Sequence, residues 1–256
     1  MQEPKIIYED AVFFVIEKPS GMTVNKADTT KNEITLQDWI ETKFKIQSSK
    51  FKIEEKKENG EYNPAWEFHN RGGIVHRLDK ETSGIILVAK NGESFIGLQK
   101  QFKERTVQKS YIALTHGKIV PEKGEISVPV GRLPFNRKRF GVIAGGREAL
   151  TEYTVIKNYE LRIKNHEEKL SLVELYPKTG RTHQIRVHVK YINHPVFSDP
   201  LYAGRKVGRD DRKLLPRLFL HAATITFVHP ATQKEMHFEN SLPAELQEFL
   251  ITLSKN

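Results

Sequence analysis

An uninterrupted apolar run at residues 85–89 directly follows a polar segment in which charges of both signs are mixed. A short run of this kind, preceded by Gly84, is typical of a strand that is buried on both faces. Such a strand must lie inside a sheet that other elements cover. The run therefore predicts a rigid central strand, with the polar loop at its N-terminal end.

The remaining segments carry strand patterns and helix patterns in irregular alternation. Strands are predicted in IIYED, AVFFVIEK, VQKSYIALTHGKI, EALTEYTVIKNYE, KLSLVELYPKTG and LPRLFLHAATITFVHP. Helices are predicted in TLQDWIETKF, NGESFIGLQKQFKERT, RTHQIRVHVKYINHP and PAELQEFLITLSKN. Because strands dominate and helices interrupt them irregularly, the pattern favours an α+β fold over a strictly alternating α/β fold. No internal repeat or linker is evident, so we expect one domain over residues 1–256.

The helix predicted after the apolar run is well defined. Asn91 can cap its first turn, and Phe95, Leu98 and Phe102 share one face. Residues 45–70 differ, because they are highly charged, weakly periodic and interrupted by glycine and proline. That composition predicts a surface insert.

The chain has an excess of basic residues, with 41 Lys and Arg against 32 Asp and Glu and a formal net charge of +9. Two stretches concentrate the excess, at residues 132–147, where Phe135 and Phe140 are interleaved with arginines, and at residues 203–217. Guanidinium groups contact phosphates, and aromatic rings stack on unpaired bases, so RNA or DNA is the favoured partner. The alternative is a solvated basic surface whose phenylalanines pack in the core.

Several kinds of chemistry lack support in the sequence. There is no cysteine, which excludes disulfides, thiolate catalysis and cysteine-ligated zinc. No HExxH string, Walker loop or GxGxxG fingerprint occurs, so neither a metal nor a nucleotide cofactor is expected. The N-terminus lacks the features of a signal peptide, and no apolar run approaches the ~20 residues that span a bilayer. We therefore expect a cytoplasmic protein with no membrane partner.

Asp79 is a carboxylate between two cations, Arg77 and Lys80, in the loop before the apolar run. Aspartates in turns usually pair with a neighbouring cation or cap a backbone N–H, and that structural interpretation stays open. In a cleft, an aspartate kept ionised by a guanidinium can act as a nucleophile or a general base. The buried strand after Gly84 would give such a group a rigid support.

A second cluster lies at residues 175–188, where a helix is predicted to start near Thr182. Arg181, His183 and Arg186 crowd its first turns. Cations at a helix N-terminus are unfavourable unless an anion is present, so the cluster indicates an anion site. The alternative is that the arginines pair with structural carboxylates elsewhere.

Several motifs occur in a fixed order along nearly the whole chain. They are IIYEDAVFFVIEKPSGMTV, HRLDKETSGIILVAK, KSYIAL, GRTHQIRVH followed by NHP and DPLY, and finally LHA with TFVHP. This series resembles the motifs of the RluA-type pseudouridine synthases. The resemblance implies a bent, mostly antiparallel central β-sheet with flanking helices. It also implies a catalytic domain without the N-terminal S4 domain of several relatives.

The resemblance assigns roles to individual residues. Asp79 is implied to be the catalytic aspartate, Tyr111 to stack on the target base, and Arg186 to form an ion pair with Asp79. A second set is implied to bind the RNA substrate around them. It consists of His76, Arg77, Arg137, Arg139, Arg181, Ile185 and Leu220.

The implied reaction detaches uracil from C1′, rotates it and rejoins it through C5. It needs no redox step and no energy input, so no cofactor is expected. The target base must leave its stack, and Arg77 is implied to occupy the vacated space. Ile185 and Leu220 are implied to form apolar walls around the base. Asp79 either attacks the substrate or removes a sugar proton, and both routes stay open.

The resemblance favours structured RNA as substrate, with ribosomal RNA ahead of transfer RNA, and a monomeric enzyme. A non-catalytic RNA-binding or ribosome-assembly protein is the second interpretation, and a metal-independent nuclease using His and Arg is the third. One departure is Ser198 before Asp199, where many relatives have glycine, so the local turn is expected to differ.

Overall fold

The computed structural model describes residues 2–27, 30, 32–44, 64–137, 139–163 and 166–254. In chain order the elements are β1 (Lys5–Glu9), β2 (Phe13–Lys18), α1 (Leu36–Phe44), α2 (Pro64–Asn70), β3 (Ser83–Ala89), α3 (Gly92–Glu104), β4 (Gln108–His116), β5 (Lys123–Ser127), β6 (Val130–Arg132), β7 (Phe140–Val142), β8 (Leu150–Ile163), β9 (His166–Pro177), α4 (Gln184–Tyr191), α5 (Arg205–Leu214), β10 (Leu220–Val228), β11 (Glu235–Glu239) and α6 (Ala244–Ser254). Within the described ranges, no helix is both long and apolar enough to cross a membrane.

The chain divides into two compact units. The first comprises Met1–Val107 and Ile225–Phe238, and the second comprises Gln108–Thr224 and Glu239–Asn256. Strand β10 contributes residues to both units, because the division falls within it. The expectation of a single domain stays a prediction.

In the first unit the strand order is β1-β2-β3-β10, with β11 beside β10. β2 is antiparallel to both neighbours, and its Ile16 pairs with Ile6 of β1 and Ile86 of β3. Every residue of β3 is buried, which confirms the strand predicted from the apolar run. A core of buried side chains packs around β3, and its largest members are Phe13, Phe68, Phe95, Leu98 and Phe227.

Helix α3 follows β3 and matches the prediction made for it. The side-chain oxygen of Asn91 accepts a hydrogen bond from the Ser94 N–H at 2.9 Å, which caps the first turn. Phe95 and Leu98 are buried in the core of the first unit, and Phe102 packs against it. The apolar spacing in this segment therefore marks the buried face of the helix.

Gly73 lies where the chain passes directly over β3, and its φ is +75°. A Cβ at this position would lie 2.2 Å from the backbone oxygen of Ala89. Replacing Gly73 with Ala is therefore expected to lower the free energy of unfolding by about 2–4 kcal/mol, since both the positive φ and the overlap oppose a side chain. Chemical denaturation measures the change. Gly92→Ala is the matched control, because a Cβ there meets no packing neighbour within 4 Å, and equal stability of the two variants would contradict this reasoning.

In the second unit the strand order is β10-β4-β9-β8-β5. β9 is antiparallel to β4 and β8, and β5 is antiparallel to β8. The β8–β9 hairpin shifts register between Val155 and Lys157, and α6 packs on the sheet through Leu246 and Phe249. Both units combine helices with mostly antiparallel strands, which confirms the predicted α+β fold class.

A short hairpin, β6–β7, lies in the segment predicted to be a turn-rich basic stretch. Arg132 pairs with Phe140 across it. The hairpin packs through Val130 and Phe140 against Val187 of α4 and Tyr202. The described residues of the stretch at 132–147 thus include a strand pair with its own small core, rather than turns alone.

Two helices lie in segments for which no helix is predicted. All of α2 falls inside the predicted surface insert at 45–70, and its Phe68 is only 6% exposed in the core of the first unit. Residues 45–63 lie outside the described part of the chain. Helix α5 occupies the second basic stretch, and the residues that it buries are Gly208 and Asp211. In neither helix do apolar residues recur at the spacing that predicts a helix from sequence.

Candidate active site

The loop at 75–82 leads into β3 and carries Arg77 and Asp79. A turn closes where the Thr82 N–H donates to the carbonyl oxygen of Asp79 at 3.1 Å. Leu78 is buried, whereas Arg77 is exposed and Asp79 is half-buried. The loop therefore anchors itself through its leucine and keeps the aspartate at the start of a rigid strand.

A buried lysine fastens this loop to the segment after β2. The Lys18 ammonium is fully buried and donates to the carbonyl oxygens of Pro19, Met22 and Lys80 at 2.9, 2.9 and 3.1 Å. Hydrogen bonds of this kind offset the loss of hydration of a buried charge. The Lys18 ammonium thus holds the backbone of Lys80, the residue after Asp79, in place. In the sequence, EKPSG indicates only a chain break, and nothing marks its lysine as buried.

His76 attaches the same loop to β3 and α3. Its Nε2 accepts the Leu87 N–H at 3.0 Å, which requires the neutral ring with its proton on Nδ1. The ring also stacks on Phe102, with the centroids 4.7 Å apart. These contacts give His76 a role in positioning the loop, and the substrate-binding role implied by resemblance stays a prediction.

In the second unit, Arg186 is clamped by a buried carboxylate. Its Nε and Nη2 donate to the two oxygens of Asp199 at 2.7 and 2.9 Å, and both side chains are buried. Asp199 also accepts the backbone N–H groups of Leu201 and Tyr202. A bidentate pair with further donors fixes both the position and the plane of the guanidinium. The ion pair predicted between Arg186 and Asp79 stays a prediction.

The turn that carries Asp199 contains the departure noted in the sequence. Ser198 has a φ of +60°, a conformation that glycine adopts without strain. Its Oγ donates to the carbonyl oxygen of Leu215 at 2.7 Å, and its N–H donates to Asp211 at 3.1 Å. The side chain of Ser198 therefore adds a hydrogen bond that glycine lacks, and the expected difference in the turn from relatives stays a prediction.

Helix α4 begins at Gln184, later than the start predicted near Thr182. The reason is that His183 has a φ of +57°, outside the helical region. The buried Gln184 side chain fixes the junction, since its Oε1 accepts the Arg181 N–H at 2.9 Å. Arg181 and His183 therefore precede the helix, and of the three predicted cations only Arg186 lies within its first turns.

Tyr111, Ile185 and Leu220 are brought together in the second unit. Ile185 and Leu220 belong to one buried hydrophobic cluster, and Tyr111 packs against it from β4, where it pairs with Leu175 of β9. Two residues earlier on the same face of β4 is Lys109, whose pKa burial lowers. Resemblance to relatives named the first three residues, and the KSYIAL motif begins with Lys109 but does not indicate that this lysine is half-buried.

Arg137 and Arg139 lie in the loop of the β6–β7 hairpin. Arg137 is exposed, and its carbonyl oxygen accepts a hydrogen bond from Arg132 Nη1 at 2.7 Å. The Arg139 guanidinium lies over the Tyr202 ring, 5.5 Å from its centroid. Both arginines are thus carried by an ordered loop.

The predicted site residues fall into two groups by unit. Asp79, Arg77 and His76 lie in the first, and the second contains Tyr111, Arg137, Arg139, Arg181, Ile185, Arg186 and Leu220. Within the second unit, Arg186 and Arg139 both contact the ring of Tyr202. In the described ranges, no group of three or more His, Asp or Glu side chains is placed to hold a metal ion.

A buried ionic network lies behind the turn that carries Asp199. His116 contacts Glu168 through Nδ1 at 2.7 Å and Asp211 through Nε2 at 3.0 Å. Burial lowers the pKa of this imidazole, but the hydrogen bonds and charges of Asp211 and Glu168 outweigh that effect and raise it to about 9. Because Asp211 also holds Ser198, the network supports the turn.

The raised pKa of His116 predicts a pH-dependent stability. Its contribution is complete below the unfolded-state pKa of 6.5 and is lost as the pH rises through about 9. The free energy of unfolding is therefore expected to fall by about 3 kcal/mol over this interval. Denaturation at several pH values measures the slope, with His116→Gln as the control that removes the titrating group. The same slope in both proteins would refute the assignment.

Comparison with known proteins places these observations in a family. The chain matches the family model of RNA pseudouridylate synthases over residues 12–191. It is 38% identical over 242 residues to an uncharacterized RNA pseudouridine synthase of Aquifex aeolicus, covering 93% of this chain and 69% of the relative. It is 35% identical over 257 residues to the ribosomal large subunit pseudouridine synthase D of Neisseria meningitidis, covering 97% of this chain and 60% of the relative. The solved structure of human RNA pseudouridylate synthase domain containing 1 aligns with a TM-score of 0.69 and 24% identity over 99% of this chain and 96% of that one, a likeness of fold.

Proposed function

The chain belongs to the RNA pseudouridylate synthase family and is an isomerase that acts on RNA, and we propose that it converts uridine to pseudouridine in ribosomal RNA with Asp79 as the catalytic carboxylate. The observation that carries the assignment of Asp79 is its place in the HRLD motif at the start of the buried strand β3. Hydrogen bonds made by Lys18 and His76 hold the loop that carries Asp79 at the start of this strand.

The reaction breaks the bond between C1′ and N1 of uracil and forms a bond between C1′ and C5. C5 loses its hydrogen as a proton and N1 gains one, so the step is redox-neutral and consumes no co-reactant. Asp79 can attack the substrate directly or remove a sugar proton as a general base. Arg77 is exposed beside Asp79, which suits a cation that enters the space left by a flipped base.

Residues of the second unit supply a surface suited to a nucleobase. Tyr111 packs against the apolar cluster that contains Ile185 and Leu220. We assign the Tyr111 ring to stacking on the target uracil, and the two aliphatic side chains to the apolar walls around it. Arg186, held rigid by Asp199, supplies a fixed positive charge to the same reaction.

One observation favours ribosomal RNA as the target. The relative from Neisseria meningitidis is named for the large ribosomal subunit and is similar over 97% of this chain. The net charge of +9 suits either kind of RNA, because binding is driven by phosphate contacts. Transfer RNA is the alternative target. The expectations of a monomeric and cytoplasmic enzyme stay predictions.

Mapping pseudouridines in cells distinguishes these targets. Ribosomal and transfer RNA from cells that lack the protein are treated with a carbodiimide that marks pseudouridine, and the marked sites are read by primer extension. We expect the loss of specific pseudouridines in large-subunit RNA, which return with the wild-type protein but not with Asp79→Asn. A loss confined to transfer RNA would move the target there, and a complete set of pseudouridines would contradict the proposal.

A further inference from the structure

Phe135 is the most exposed large apolar side chain among the described residues. Its exposed fraction is 102%, and the others in this class reach at most 74%. Keeping a phenylalanine ring in water forgoes about 1.5–3 kcal/mol of burial free energy. A ring in this position contributes nothing to the packing of the chain itself.

The described residues of the loop that carries Phe135 are linked by backbone hydrogen bonds. The Leu133 N–H donates to the carbonyl oxygen of Arg139 at 3.0 Å, and the Arg139 N–H donates to that of Asn136 at 2.8 Å. The first bond joins the two sides of the β6–β7 loop across Phe135, and the second lies on the C-terminal side of Phe135. Phe135 therefore lies in a loop closed by backbone hydrogen bonds, with its ring in solvent.

The hairpin segment that carries the ring is basic and contains no acidic residue. Arg132 and Arg137 are exposed on the same hairpin, and no Asp or Glu occurs between Glu125 and Glu148. A planar apolar ring among guanidinium groups matches a nucleotide, since the base stacks on the ring and the phosphates pair with the cations. Double-stranded RNA offers phosphates but keeps its bases stacked, so the ring favours unpaired bases.

The hairpin is also fixed relative to Arg186. Its Phe140 N–H donates to the Tyr202 hydroxyl at 3.0 Å, and the same hydroxyl contacts His183 Nδ1 at 2.8 Å. The Arg186 guanidinium lies over the Tyr202 ring, 5.0 Å from the centroid. Tyr202 therefore links the hairpin that carries Phe135 to the arginine assigned to the reaction.

We propose that Phe135 stacks on an unpaired base of the RNA substrate near the target uridine, and so selects single-stranded or looped RNA over duplex. The inference rests on the proposed function and deepens it, because it names the kind of RNA that the hairpin binds. Arg137 and Arg139 supply the phosphate contacts, and Phe135 supplies the discrimination between unpaired and paired bases.

Binding of short synthetic RNAs tests the proposal. The probes are a fluorescein-labelled oligouridylate that contains one 2-aminopurine, and the duplex of this strand with its complement. The Phe135 variants are made in the Asp79→Asn background, so that the protein binds the RNA without turning it over. Phe135→Ala is expected to weaken binding of the single strand by ~5- to 150-fold, to abolish the quenching of 2-aminopurine, and to leave duplex binding unchanged. Phe135→Trp should retain binding within about threefold, whereas Phe135→Leu should lose it.

Controls separate stacking from charge and from misfolding. Phe135→Ala should keep the salt dependence of the Asp79→Asn parent, and Arg137→Ala should reduce its slope by about one. Tyr191→Ala removes another exposed ring of the second unit and should bind like the parent. Unchanged binding by Phe135→Ala, equal losses on single strand and duplex, or full binding by Phe135→Leu would each overturn the proposal.

Failure of this inference is distinguishable from failure of the proposed function. Release of C5 tritium by the protein with its native Asp79 reports the isomerisation, whatever Phe135 does. Tritium release together with unchanged binding by Phe135→Ala would reject the stacking role alone. Absence of tritium release from ribosomal and transfer RNA would reject the function from which the role is inferred.

Discussion

Replacing Asp199 with Asn is expected to lower the free energy of unfolding by about 3–5 kcal/mol, because it leaves the Arg186 guanidinium buried without its counter-charge. Arg186 is 4% exposed and Asp199 is fully buried, so water cannot replace the lost carboxylate. Isomerisation should also fall by at least ~100-fold, since displacement of a group that orients the reaction has effects of this size. Chemical denaturation and tritium release measure the two effects.

Asp210→Asn is the matched control for this substitution. Asp210 pairs with Lys213 on α5, and its side chain is 40% exposed. A solvent-exposed pair contributes about 0–1 kcal/mol, so this variant should be nearly as stable as the wild type. The double variant Arg186→Met with Asp199→Leu should regain part of the stability while remaining inactive, because no buried charge is left unpaired but the Leu201 and Tyr202 N–H groups lose their acceptor. Equal stability of Asp199→Asn and Asp210→Asn would contradict the role given to Asp199.

Asp79→Asn is expected to reduce the turnover of uridine by more than ~1,000-fold, since loss of a positioned acid–base group alone costs ~10²–10⁴-fold. The substitution keeps the size of the side chain, and the turn between Asp79 and Thr82 depends on backbone atoms. Folding and RNA affinity should therefore be retained. Glu81→Gln removes a charge from the same loop and should remain active. Inactivity of both variants would show that the loop, rather than the Asp79 carboxylate, is the sensitive feature.

The elements that were predicted correctly are those whose own residues determine the secondary structure. The buried strand β3 and the capped helix α3 are examples, because apolar spacing and the Asn91 cap are local properties. Helix α5 was missed because it buries Asp211, whose partner His116 lies far away in the chain. The β6–β7 hairpin was missed because its core is shared with Tyr202 of a distant segment.

The residues of the candidate site likewise divide into those that short motifs predict and those whose roles depend on distant parts of the chain. Resemblance to relatives named Asp79, Tyr111 and Arg186 from short motifs. The residues that hold the loops, Lys18 and Asp199, were missed, because their roles depend on partners that only folding brings near. The sequence offered one signal for Asp199, namely its place after the unusual Ser198, but that signal did not indicate Arg186 as its partner.

Tritium release from RNA labelled at C5 of uridine shows directly whether Asp79 is the catalytic carboxylate of the isomerisation. Purified wild-type protein, Asp79→Asn and Glu81→Gln are each incubated with RNA from cells that lack the protein. Because the new glycosidic bond forms at C5, isomerisation must expel the label into water. We expect release by wild type and Glu81→Gln and none by Asp79→Asn. Release by Asp79→Asn at the wild-type rate would contradict the assignment of Asp79 as the catalytic carboxylate.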